Sequence, residues 1–337
     1  MKKLLCIFIL LLSVTTFALQ KSGIKEYDDL DLTKGEIVLY MDKEGTVIDD
    51  PSAAQYYRKS FGKKGSLYLF VDFYSYNDSP VAIFKSSDSK GIEKMDGKYV
   101  SYYPNGSLNN IGDVKDKEFN GKKINYENEK ISSIVDFSHA SMEVNIESYI
   151  DGKIYNIVEY KNDIPDGKGT IYNSNGSVAV TEIYKNGVLI NSKTVNYKLQ
   201  KTGISEYDNI DFSKGEIIAY YNENDELVSE SSEDLYIYRK SFGKTKDNKY
   251  LLVDFYIISN LVQGIAKAKD IYTSFPSFEE KVSLFSFYEN GNIEFSLKNS
   301  ETNESHKIME HRNPFGKTDT IITMDKNGNT INTEYPE

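Results

Sequence analysis

The sequence predicts an all-β protein: stacked β-hairpins forming an extended twisted antiparallel sheet, with one larger unit present twice. Three observations carry this. The chain holds 27 Tyr and 17 Phe alongside many Ile and Val, residues that favour strands, and no long stretch shows a clean 3.6-residue apolar period. Turn pairs recur, among them Asn105-Gly106, Asn120-Gly121, Asp151-Gly152, Asp166-Gly167, Asn175-Gly176, Asn186-Gly187, Asn290-Gly291 and Asn327-Gly328. Such pairs suit two-residue hairpin turns, which need positive φ. Finally, residues 19–40 return at 199–220 with 14 of 22 positions identical.

Residues 1–18 read as a secretion signal. Lys2 and Lys3 form the basic start, Leu4 to Leu12 an apolar run, and Thr16-Phe17-Ala18 a cleavage site. The run is shorter than the roughly 20 residues of a spanning helix. An uncleaved anchor is the alternative. Lipidation at Cys6 lacks the small-residue box it would need. Cys6 is the sole cysteine, so the mature chain has no disulfide, zinc-thiolate site or thiol nucleophile. The expectation is an exported protein (periplasmic, surface-bound or secreted) with no transmembrane segment after signal removal.

Loss of Lys2 and Lys3 takes the net charge from −11 to −13. Nucleic acid is therefore not an expected partner. The duplicated segment continues as YRKSFGK at Tyr57–Lys63 and Tyr238–Lys244, and as VDFY at Val71–Tyr74 and Val253–Tyr256. The offset drifts from 180 to 182, which places insertions in loops between motifs. The chain thus reads as unit A (19–137), middle hairpins (138–198) and unit A′ (199–337).

A shorter pattern lies inside these units. A glycine precedes a tyrosine by five positions at Gly35 and Tyr40, Gly97 and Tyr102, Gly121 and Tyr126, Gly167 and Tyr172, and Gly215 and Tyr220. The glycine is expected to open a strand and the tyrosine to lie near its end, the tyrosines forming a ladder on one face. The G-K-x-x-x-Y-[Y]-x-N-G-x-L pattern at Gly97–Leu108 and Gly167–Val178 resembles the bacterial MORN-repeat variant, including antitoxin-like proteins. The motifs cover a quarter to a third of the mature chain. The Trp often found early in such repeats is absent, and YRKSFGK and VDFY depart from the pattern. The resemblance implies a sheet of stacked hairpins used for binding or display, and no catalytic residues. Export fits poorly with a cytoplasmic antitoxin.

Arg58, Arg239 and Arg312 are the only arginines, and the first two occupy matched positions. Asp72 and Asp254 stand inside apolar strands and need partners if buried. Arg58 is expected to pair with Asp72, and Arg239 with Asp254. Alternatively Arg58, Lys59 and Lys63, with Arg239, Lys240 and Lys244, form two basic spots able to hold a carboxylate, phosphate or acidic glycan. His139, His306 and His311 show no metal or triad spacing. Glu223–Asp234 reads as a solvated acidic loop, with weak calcium binding the minor reading. No cofactor is implied. The leading function is a binding module for a protein or glycan surface. An envelope assembly component is the second reading, and a carboxylate-based hydrolase the third.

Overall fold

A computed structural model describes residues 19–137, 143–272, 283–300 and 306–336. The signal segment, Cys6 and His139 lie outside them. The chain divides into two compact units, residues 1–130 and 131–337. The first holds β1 (Glu36–Met41), β2 (Val47–Ile48), β3 (Tyr56–Lys64), β4 (Leu67–Tyr74), β5 (Pro80–Ser86), β6 (Gly97–Tyr102), β7 (Leu108–Lys115) and β8 (Glu118–Glu127). Six hairpin strands follow: β9 (Lys130–Asp136), β10 (Glu143–Ile150), β11 (Lys153–Lys161), β12 (Ile164–Tyr172), β13 (Val178–Lys185) and β14 (Val188–Thr194). The second copy supplies β15 (Glu216–Tyr221), β16 (Leu227–Val228), β17 (Ile237–Lys244), β18 (Tyr250–Tyr256) and β19 (Val262–Ala268). It ends with β20 (Leu284–Phe287), β21 (Ile293–Asn299), β22 (Lys307–Arg312), β23 (Thr318–Met324) and β24 (Thr330–Glu334).

These strands form two antiparallel sheets, of fourteen and ten strands, rather than one. The larger runs from β14 in sequence order down to β3, then β1 and β2; the smaller runs β16-β15-β17 and on to β24. Pairing breaks after β14 because the chain does not turn into another hairpin there. It leaves as an irregular segment that covers a sheet face of the second copy.

That segment has a twin at the start of the first copy, and both act as clasps. Residues 19–35 carry one helical turn, α1 (Lys25–Asp28); residues 199–215 carry α2 (Ser205–Asp208). In the first clasp the Asp28 carboxylate accepts from the backbone N–H of Ser22 (2.8 Å) and Gly23 (2.9 Å) and from the Ser22 hydroxyl (2.8 Å). Asp208 does the same for Thr202 and Gly203. The clasp then reaches across the sheet. Leu108 N–H donates to Gln20 Oε1 at 2.8 Å, and Tyr27 OH donates to Lys98 O at 2.6 Å. The second copy repeats both bonds, Ile293 N–H to Gln200 Oε1 and Tyr207 OH to Ser283 O. Beneath each clasp lies a core: Tyr27, Leu69, Val71, Phe73, Ile83 and Val100 in the first unit; Tyr207, Val253, Phe255, Ile265 and Phe285 in the second. This is why LYLFVDFY is apolar on both faces. Leu69, Val71 and Phe73 meet the clasp side, while Phe70 packs with Ala82 and Phe84 on the other.

The turn pairs differ from expectation. Only Asp151-Gly152 and Asn186-Gly187 place both residues at positive φ, as a two-residue turn requires. In Asn105-Gly106, Asn175-Gly176, Asn290-Gly291 and Asn327-Gly328 the glycine alone is left-handed. These are longer loops, closed for example by Gly106 N–H to Tyr103 O at 2.8 Å. The Asn105 side chain accepts from Ser107 N–H at 3.0 Å and so stabilises an Asx turn.

The glycine–tyrosine repeat also needs correction. Gly35 and Gly215 precede β1 and β15, and Gly97 opens β6, but Gly121 and Gly167 fall inside β8 and β12, beside register shifts in their pairing with neighbouring strands. They mark bulges, not strand starts. A side chain at Gly35 would lie 2.9 Å from the Phe61 ring. Tyr102 is buried, and Tyr40 and Tyr126 pack half-buried on the same core. Tyr172 and Tyr220 are half-buried in the second unit, and no ladder of rings joins the five. Stacked rings are instead Tyr57 on Phe73 and Tyr238 on Phe255, each at 5.1 Å, and Phe70 on Phe84 at 5.7 Å.

Candidate functional site

In register, Arg58 of β3 stands opposite Asp72 of β4, and Arg239 of β17 opposite Asp254 of β18. Arg58 Nε and Nη2 donate to the two Asp72 oxygens at 2.6 and 2.9 Å. Arg239 makes the same fork to Asp254 at 2.7 and 2.7 Å. Arg58 is 5% exposed and Arg239 4%. Burial pushes the Asp72 and Asp254 carboxyls upward, against the pull of the facing guanidinium. The third edge of Arg58 is filled as well: Nη1 donates to Gly91 O at 2.5 Å and Lys90 O at 3.2 Å. A ring covers the guanidinium, Phe84 at 4.6 Å in the first copy and Tyr221 at 4.7 Å in the second.

The loop over Arg58 is built for that contact. Gly91 has φ +69, and a side chain there would lie 3.0 Å from both Arg58 Nη1 and the Phe70 ring. Asp88 holds the loop's shape. Its carboxylate accepts from the N–H of Lys90, Ile92 and Glu93 at 3.0–3.1 Å and from the Ser86 hydroxyl at 2.8 Å. Partial burial works to raise its pKa, but the N–H groups of Glu93, Ile92 and Lys90 and the Ser86 hydroxyl win and hold it well below the usual carboxylate range.

The two basic spots do not form. Adjacent strand residues point to opposite faces, so Lys59 leaves Arg58 and lies over the Phe73 ring (5.1 Å), its ammonium near Leu32 O of the clasp (3.4 Å). Lys240 repeats this over Phe255, donating to Phe212 O at 3.2 Å. Lys63 and Lys244 sit over Tyr68 and Tyr250. Neither arginine has a free edge for an anion, so both copies carry anchors of the fold at these positions.

One cleft lies wholly within residues 131–337, and its lining residues are far apart in sequence. The middle hairpins pack on the second sheet there. Tyr155 sets its ring edge against Tyr288 (6.5 Å) and Phe315 (6.0 Å), and Ile171, Ala179, Val180 and Leu261 form one buried cluster. Asn313 Nδ2 donates to Asp151 Oδ2 at 3.2 Å. Beside this seam opens a cleft of about 590 Å³. Five carboxylates line it: Glu182, Glu223, Glu233, Asp234 and Glu289. Tyr184, Tyr236 and Tyr256 give its aromatic walls, and Val188, Leu189, Leu235 and Ile258 its apolar ones. Among the described residues no lysine or arginine lines it. Burial first, then the Glu289 charge, raises the Tyr236 and Tyr256 hydroxyls above the ordinary tyrosine range. Burial, with Glu182 next, does so for Tyr184.

Sequence reading missed this cleft. Glu223, Glu233 and Asp234 belong to the segment read as a solvated loop, and only tertiary packing brings Glu182 and Glu289 beside them. Among the described residues no three His, Cys, Asp or Glu side chains are gathered closely enough to hold a metal ion. His311 packs its ring on Phe295 at 5.0 Å. No described helix is long and apolar enough to cross a membrane.

No family model matches the chain, and no curated protein does. Among solved structures it is matched to the crystal structure of a proposed 6-phosphogluconolactonase from Bacteroides uniformis, at 10% identity over 88% of this chain and 87% of that one. The TM-score is 0.15, too low to argue from.

Proposed function

We propose that this is an exported binding module, built on hairpins like those of the MORN-repeat variant, that takes a partner in the acidic cleft of residues 131–337. One observation carries the reading. The matched arginines are locked inside the fold, whereas the cleft is lined by five carboxylates and three tyrosines. Tyrosine gives large amphipathic contact area at low entropic cost. The signal-like start supports export. Fractionation of the producing cells tests that part: the chain is expected outside the cytoplasm and shortened at its N-terminus. Cross-linking of the mature chain to surface extracts tests the rest. The partner is expected to map to the cleft, and cross-links confined to the first unit would sink the reading.

A further inference from the structure

Backbone bonds match the two copies at several fixed points. Gln55 N–H donates to Met41 O, and Tyr236 N–H to Tyr221 O; Ser75 N–H donates to Gln55 O, and Ile257 N–H to Tyr236 O. Tyr236 therefore stands where the first copy has Gln55. Gly106 N–H to Tyr103 O and Gly291 N–H to Tyr288 O mark one shared turn, so Glu289 replaces Pro104. In the same way Gly45 N–H to Asp42 O and Asp225 N–H to Asn222 O align Glu223 with Lys43. Glu223 and Glu289 thus have no acidic counterpart in the first copy, while Glu233 and Asp234 lie in a loop one residue longer than its counterpart. Clasp, anchor pair and core positions are kept over the same stretch. The copies differ in charge at these cleft positions and agree in their packing.

The fifth carboxylate is buried. Glu182 is 5% exposed, and its carboxylate accepts from the Tyr184 hydroxyl at 2.9 Å. Among the described residues no lysine or arginine pairs with it, and burial followed by the Glu289 charge raises its pKa. A buried carboxylate without a counter-charge is costly, and no described residue supplies one. The carboxylates are too dispersed for a metal ion, while the tyrosine faces suit an organic cation. Alongside runs β14, an edge strand whose Val188 and Ile190 are 60% and 56% exposed. An edge of this kind accepts an extended chain by strand addition.

We infer that the cleft receives a lysine or arginine side chain of an extended polypeptide partner, its cation set between Glu182 and Glu289 and its stem against the tyrosines. This rests on the binding reading above and names the chemistry of that site. The test titrates the mature chain by calorimetry with an extended Val/Lys peptide, the same peptide with norleucine for lysine, and 1,5-diaminopentane. The lysine peptide is expected to bind roughly tenfold or more tighter than the norleucine peptide, and to lose that margin in Glu289→Gln and Glu182→Gln. Glu289 is only half-buried, so its variant keeps the test valid if Glu182→Gln fails to fold. Equal binding of the two peptides would overturn the inference. So would diamine binding as tight as the lysine peptide, which would make a free amine the ligand. A partner cross-linked in the cleft but indifferent to Glu289→Gln would overturn the cation chemistry and leave the binding module standing.

Discussion

Residues 19–86 and 199–268 are two solutions to one folding problem, and they differ in an instructive place. Both copies bury a forked arginine–aspartate pair under a ring. In the first the ring is Phe84 on β5, and the neighbouring strand offers Met41. In the second β19 has Ala266 where Phe84 would be, and β15 carries Tyr221 where Met41 was. The ring has crossed from one side of the guanidinium to the other. What both copies retain is a covered, fully bonded arginine, which is a physical requirement of the site and not of any single neighbour.

The largest expected effect comes from breaking that shared anchor. Asp72→Ala and Asp254→Ala should each cost about 3–5 kcal/mol, because each leaves a guanidinium buried without its partner. Denaturant unfolding measures both, and clearly unequal costs would break the equivalence of the copies. Moving the ring sharpens the comparison. Phe84→Ala combined with Met41→Tyr builds the second arrangement inside the first. The pair should recover part of the single-variant loss, with a coupling of about 1–3 kcal/mol in a double-mutant cycle. A coupling near zero would mean the ring's position is incidental.

The clasps come next. Asp28→Ala and Asp208→Ala each remove three hydrogen bonds within the clasp and should cost about 1–3 kcal/mol. Hydrogen exchange should speed up at Leu108 or Ile293, whose N–H groups the clasps accept. The smallest effect is one that acid removes. The Asp88 carboxyl lies below its unfolded value, so its contribution is full above about pH 4 and is lost as pH falls through the folded pKa. Asp88→Asn should be less stable than wild type at neutral pH, the gap closing on acidification. A gap that persists at low pH would count against the loop's carboxylate.

Strand content was legible because alternation and turn residues act locally. The partnership of Arg58 with Asp72 was also legible, since an acid inside an apolar strand demands a partner and arginine is scarce. Turn types were not. Asn-Gly serves both a two-residue turn and a longer loop, and flanking strand register decides between them. Nor were the clasps, because Ser22, Gly23 and Asp28 look like loop residues until the bonds from Gln20 to Gly106 and Leu108 are seen. The cleft was hidden for a related reason. Its carboxylates run from Glu182 to Glu289, and charge alone does not tell a solvated acid from one folded against a wall.

The clasp of the first copy has a consequence for the order of folding. Gln20 and Leu108 are 88 positions apart, and Gln200 and Ile293 are 93 apart. Contacts of such separation form late, because the loop must close before they contribute. A chain emerging N-terminus first presents its clasp with nothing to close on until the turn at Asn105-Gly106 has followed. Each copy is sealed by the segment that emerges first onto a turn made much later, so neither core is complete until β7 or β21 is in place.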